Sequence, residues 1–205
     1  MASPDAIAAT TDAIRALLDG AAKESPTFSG ITVSIYQSDD LQRALRPTTT
    51  STVSVLLHRI SVSPHRRNVP VRTGPHGERY RPPIPVDLYY LVTAWAGDPR
   101  MSQRILGWAL RVLEDTPVLP SSLLNDNGWD GTFYPDETVE LAWAPLSMQE
   151  EYDMWQVAQT NQQPSASYVA RTVAIESRRI VPEYARVQTT EWDYDPDGPQ
   201  LEAAQ

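Results

Sequence analysis

Cysteine is absent from the chain. That removes a disulfide framework, a thiolate metal site and a cysteine nucleophile together, and it fits a reducing compartment. Lysine is nearly absent too, with Lys23 alone among 17 basic residues. No apolar run approaches the roughly 20 residues that span a bilayer, so no membrane partner is expected. The start, Met1-Ala2-Ser3-Pro4-Asp5, has no basic region followed by an apolar block, and no signal peptide is expected from it. The sequence motifs of catalysis are also missing. There is no Gly-x-Ser-x-Gly elbow, no phosphate loop ending in Gly-Lys-Ser/Thr, and no Gly-x-Gly-x-x-Gly. Thr73-Gly74-Pro75-His76-Gly77 has two glycines but no lysine to make it a phosphate cradle. His58, His65 and His76 lie seven and eleven residues apart, without the helical spacing of a ligand pair, and read as solvated loop histidines. No cofactor and no metal are expected.

What is present points to a folded domain. The 205 residues suffice for one α/β-type domain, and 41% hydrophobic content is enough to build a core. The net charge of −9 argues against a nucleic-acid partner for the chain as a whole. Its distribution is uneven. Arg59 to Arg81 holds six arginines and one acid, Glu78, whereas Val112 to Ala170 holds ten acids and no lysine or arginine.

Periodicity gives the elements. Ser3-Pro4 opens a helix as N-cap and first helical residue, with Ile7, Ile14, Leu17, Leu18 and Ala21 as its apolar stripe. Ile31, Val33 and Ile35 alternate as a strand. A second strand, Thr52–Val62, switches apolar parity midway, which predicts a bulge or burial on both faces. Ser63–Pro85, with six prolines and two glycines, is expected to be irregular. Val86–Trp95 is the most apolar segment and is expected mid-sheet. Asp98-Pro99 caps a helix with Met101, Ile105, Trp108 and Val112 inward. Pro117–Pro135 reads as irregular, Val139, Leu141 and Trp143 as a strand. Ser147-Met148-Gln149-Glu150 is a capping box opening a helix that buries Met148, Tyr152, Trp155 and Ala158. A last strand runs from Ser167 to about Ile175. The order predicts an α+β fold: a mixed, largely antiparallel sheet with flanking helices. Residues 1–180 are expected to form the domain, and 181–205 an acidic C-terminal extension.

Two features remain unplaced by core packing. Trp129 and Trp192, the latter near Tyr194, lie in irregular segments, where burial within one chain is hard to arrange, and aromatics of that kind are enriched at protein contacts. The arginine stretch has three readings: a solvated connection, a phosphate contact, or a docking element for an acidic protein surface. The last is favoured, with Arg66, Arg67, Arg72, Arg79 and Arg81 as its residues. A chain that is basic in one part and acidic in another can join head to tail with its own copies, and such contacts close into rings. Asp126, Asp130 and Asp136 do not fit the calcium-loop pattern. They carry a further alternative, a hydrolase with an acidic site; a solvated loop, or a surface facing arginines, is favoured.

Four segments carry a resemblance in order and spacing. Asp87-Leu-Tyr-Tyr-Leu-Val-Thr-Ala-Trp-Ala-Gly-Asp98 leads to Ile105-Leu-Gly-Trp-Ala-Leu-Arg-Val-Leu-Glu-Asp-Thr-Pro-Val-Leu119. Leu146-Ser-Met-Gln-Glu-Glu-Tyr-Asp-Met-Trp155 precedes Pro164-Ser-Ala-Ser-Tyr-Val169. Together with the proline- and arginine-rich insertion, they resemble the cap (tail-terminator) proteins of phage-tail-like extracellular contractile injection systems. The resemblance spans roughly Ser3 to Arg179 and fades beyond Val181. It implies a tail-terminator-like fold and a structural, non-enzymatic subunit. It further implies a homo-hexameric ring that closes the distal end of an inner tube and sheath, with the inner-tube and sheath proteins as partners. Assembly would be cytoplasmic, within the particle, and the extension would be ordered by a neighbouring subunit. The alternative of the same kind is a terminator or connector of a contractile phage tail.

Overall fold

The computed structural model describes residues 3–44, 50–64, 72–74 and 76–182. In chain order the elements are α1 (Ala6–Glu24), β1 (Thr32–Tyr36), α2 (Ser38–Ala44), β2 (Thr52–Val62), β3 (Arg72–Thr73), β4 (Arg79–Tyr80) and β5 (Ile84–Trp95). Then follow α3 (Pro99–Asp115), β6 (Val118–Pro120), α4 (Ser121–Leu124), β7 (Thr138–Trp143), α5 (Met148–Val157) and β8 (Ser165–Ile175).

Among the described residues the main sheet runs β1-β2-β5-β8-β7-β6. Only β1 and β2 pair in parallel; every other pairing is antiparallel. This is the α+β, largely antiparallel arrangement the element order predicts, with the apolar β5 between β2 and β8. Because β5 is covered on both faces, it can be apolar almost throughout, and nearly every residue from Pro85 to Trp95 is buried. The parity switch in β2 is a bulge: Leu57 faces Tyr90, Arg59 faces Tyr89, and His58 is the extra residue.

Local chemistry sets the helix starts. Ser3 Oγ accepts from the Asp5 amide at 3.1 Å, and Ser3 C=O from Ala6 N–H at 3.0 Å, a tight first turn before the α pattern begins. The Asp98 carboxylate accepts from Met101 N–H at 3.0 Å. Ser147 and Glu150 form a reciprocal capping box. The face of α1 that meets the sheet differs from the expected stripe. Its buried residues include Ala6, Ala9, Thr10, Ala13, Ile14, Leu18 and Ala22, while Ile7 and Leu17 sit at the flanks. Small side chains allow the close helix–sheet approach, and Thr10 satisfies its hydroxyl on Ala6 C=O at 2.7 Å.

The core has two parts. The larger lies between the sheet and α1, α3 and α4, and includes Val53, Val55, Leu88, Tyr90, Val92, Tyr168, Ile105 and Leu113. The smaller lies on the other face, where Leu41 of α2 and Trp155 of α5 close over Leu56, Leu91 and Trp95. Each fully buried Leu or Ile contributes about 1.5–3 kcal/mol. Two buried hydroxyls are specifically partnered. Tyr90 Oη lies 2.9 Å from Thr11 Oγ1, and Tyr168 donates to Glu114 at 3.0 Å. At the second register shift, between Val86 and Leu88, the buried Asp87 carboxylate accepts from Thr172 N–H at 3.1 Å. Thr172 is held there at φ 65°, a conformation that a β-branched residue rarely adopts.

Several expectations are corrected. Pro117–Pro135 contains β6 and α4. Trp143, Met148 and Tyr152 are 46%, 88% and 54% exposed rather than core. Trp143 lies past the last β6–β7 pair, and α5 meets the sheet through Met154, Trp155 and Ala158, a line that leaves Met148 and Tyr152 outside. Within Ser63–Pro85, β3 and β4 form a hairpin. It turns through Gly77 at φ 88°, where the αL backbone suits glycine.

Candidate interaction surfaces

The hairpin is wider than its two strands. On the side of β4 away from β3, residues 179–181 run antiparallel to it. Arg81 N–H donates to Arg179 C=O at 2.9 Å, Val181 N–H donates to Arg79 C=O at 2.6 Å, and Tyr80 bridges Ile180. Because β4 leads into β5 and 179–181 follows β8, this small sheet prolongs the β5–β8 ladder beyond Ile84 and Ile175. It is a tongue on the end of the two central strands. Arg79 and Arg81 are exposed on it, and Arg178 and Arg179 join them. The last two escaped the sequence reading because they lie about 100 residues away in the chain. Arg72 is the first residue of β3, paired with Tyr80; its side chain lies outside the described set. Arg66, Arg67, Trp192 and Tyr194 also lie outside the described residues.

The acids gather elsewhere. Glu114 and Asp115 end α3, Asp126, Asp130 and Asp136 are exposed between α4 and β7, and Glu140 is exposed on β7. No group of three or more acids and histidines among the described residues is placed to hold a metal ion. The loop that carries these acids is firmly built. Asn125 brackets Phe133, donating to its C=O at 2.9 Å and accepting from its N–H at 2.8 Å. Asn127, Gly128 and Gly131 take positive φ to make the reversals. Trp129 is half-buried against the main core, and its indole N–H donates to Asp12 of α1 at 2.9 Å. The obstacle to burying Trp129 in an irregular segment is overcome by α1, which the loop crosses.

His58 departs from its loop reading. It sits in the β2 bulge, half-buried, with Nε2 enclosed and without a hydrogen-bond partner among the described residues. Burial, and then neighbouring Arg59, lower its pKa, while Glu150 opposes them. Arg59 lies 3.9 Å from the centroid of the Tyr89 ring and 3.7 Å from Glu150. Beside this group two hollows of about 450 and about 610 Å³ share Ser38, Leu56 and Leu57 in their walls. The described residues contain no helix long and apolar enough to cross a membrane.

The family model described as the Pvc16 N-terminal domain matches residues 9–189, from α1 through β8 and the tongue. The chain belongs to this family. Among solved structures, the chain is similar to the sheath/tube terminator of an extracellular contractile injection system, PVC, in its extended state. That likeness has TM-score 0.58 and 16% identity, over 91% of this chain and 63% of the other. It is also similar to the tube-terminating cap of the anti-feeding prophage, with TM-score 0.56 and 16% identity, over 90% of this chain and 60% of that one. The chain thus spans less than two thirds of the length of either structure. At this identity the likeness speaks for the fold, and the tail-terminator-like architecture expected from the sequence is the one found. No curated protein sequence matches the chain.

Proposed function

We propose that this Pvc16-family chain is a structural cap of a contractile injection system, closing the distal end of inner tube and sheath as a ring of identical subunits. The observation that carries the reading is membership of the family over residues 9–189. The fold shared with a sheath/tube terminator and a tube-terminating cap adds to it. The role is one of surfaces rather than catalysis: one face meets the last tube ring, another the sheath, and none templates a further layer. The ring is proposed to be six-fold, assembled in the cytoplasm. Its subunit contacts join the tongue residues Arg79 and Arg81, together with Arg66, Arg67 and Arg72, to the acidic α4–β7 region of the next copy. Trp129 contributes its remaining exposed surface there, and Trp192 and Tyr194 contact a neighbour. A stable contact of this kind buries about 1,000 Å² or more.

The test is electron microscopy of particles assembled without this protein. Open or unstable tube ends, restored by adding the chain back, are expected; normal closed ends in its absence would refute the assignment.

A further inference from the structure

We infer that the outer edge of β2 accepts an added strand, and that its occupant is residues 190–195 of a second copy of this chain. The inference rests on the self-association proposed above. β1 covers β2 only from Thr52 to Leu56. β2 then continues to Val62, paired with β5 on its inner side through Arg59–Val62. Among the described residues no strand pairs with its outer side there. Natural sheets guard such edges with short strands, charge or proline. Here Ile60 and Val62 are 48% and 56% exposed, and the one charge, Arg59, is already turned to Tyr89 and Glu150.

The two hollows lie where β1 stops, one on each face of the sheet. The first is walled by Leu41 and Val157 of the α2–α5 side, the second by Ile7 and Ile35 of the α1 side. An incoming strand sends alternate side chains to opposite faces. It would therefore fill both hollows while its main chain extends the ladder, the usual division between affinity and specificity in strand addition.

Residues 190–195, Thr-Glu-Trp-Asp-Tyr-Asp, have the matching alternation. Thr190, Trp192 and Tyr194 would share one face, and Glu191, Asp193 and Asp195 the other. The aromatic face suits Ile60, Val62 and the α1-side hollow. The acidic face suits His58 and Arg59; because Glu150 already shares Arg59 and Asp153 lies on the same wall, this contact sets register more than affinity. The starting point of the segment favours a second copy. Residues 179–181 lie on the β8 side of the tongue, whereas the free edge is on the far side of β2. The intervening residues 183–189 span about 23 Å when extended, enough to reach an adjoining subunit.

The absence of cysteine makes the test direct. Full-length Ile60→Cys and Tyr194→Cys chains, differently tagged, are co-expressed and oxidised, and sedimentation reports assembly of the same sample. A disulfide joining one tag to the other is expected. Adding Thr190→Pro to the second chain removes a ladder donor and should lower the yield about tenfold. Assembly without the cross-link overturns the strand docking and leaves the cap reading standing. A cross-link that forms only within the Ile60→Cys/Tyr194→Cys double variant overturns the assignment to a second copy. A yield unaffected by proline overturns strand addition.

Discussion

Replacing Tyr90 by phenylalanine should destabilise the protein at neutral pH and stabilise it, relative to wild type, in strong alkali. Tyr90 is fully buried, and its hydroxyl lies 2.9 Å from Thr11 Oγ1. Thr11 itself donates to Ile7 C=O at 3.0 Å, so the tyrosine O–H is the donor of the pair. Phenylalanine removes that donor and leaves one buried lone pair of Thr11 unused, a loss of about 1 kcal/mol. The alkaline half follows from linkage. Burial raises the Tyr90 pKa well above its ordinary 10.0. Above pH 10 the unfolded chain ionises this tyrosine while the native protein keeps it protonated, so the native state binds more protons and stability falls as pH rises. By pH 11 the wild type has lost about 1.4 kcal/mol through this one group, and the variant none of it. The two stability curves should therefore cross between about pH 10 and pH 11. Urea unfolding at pH 7, 10 and 11, read as midpoint at constant m, measures this. A variant as stable as wild type at pH 7, or one whose difference from wild type does not change above pH 10, would refute the reasoning.

Asp98→Ala removes the side-chain acceptor for Met101 N–H at the start of α3 and should cost about 1 kcal/mol, seen as a lower thermal midpoint; Asp98→Asn should recover most of it. Asp87→Ala strands the Thr172 amide at a buried bulge and should cost about 1–3 kcal/mol in denaturant unfolding. Charge reversal of Arg66, Arg67, Arg72, Arg79 and Arg81 to glutamate should leave the circular dichroism spectrum intact while abolishing particle capping; normally capped particles would remove these arginines from the proposed interface. Removing residues 183–205 should weaken attachment to a neighbour without changing the melting of the domain, and unchanged particle assembly would exclude that role.

The sequence reading succeeded where one local rule decides the outcome. Asp98-Pro99 and Ser147/Glu150 are complete capping signals within four residues, and both operate as read. The parity slip in Thr52–Val62 is a bulge because the extra residue, His58, lets Leu57 and Ile60, three apart, stand opposite Tyr90 and Leu88 on one face. It failed where the deciding partner is remote. α2 has polar Asp39 and Asp40 in its first turn and the buried anchor Leu41, whose burial Trp155 and Leu56 explain. The hairpin in the proline-rich stretch depends on 179–181, and the burial of Trp129 on Asp12. Met148 and Tyr152 show the opposite failure: they match a helical stripe, but the sheet meets α5 along another line. Of the site, the arginines and acids were visible as charge runs, while the unpaired edge of β2 required knowing that β1 is only five residues long.

The tongue also determines where a mechanical load would travel. Because residues 179–181 are laced to β4 and follow directly from β8, a pull on the chain beyond residue 182 first meets the Val181–Arg79 and Arg81–Arg179 bonds. Behind them it passes into β8, which is flanked by β5 and β7. Tension applied to the terminus is thus borne by a strand clamped on both sides, and an edge strand could peel away before the segment that carries the force lets go.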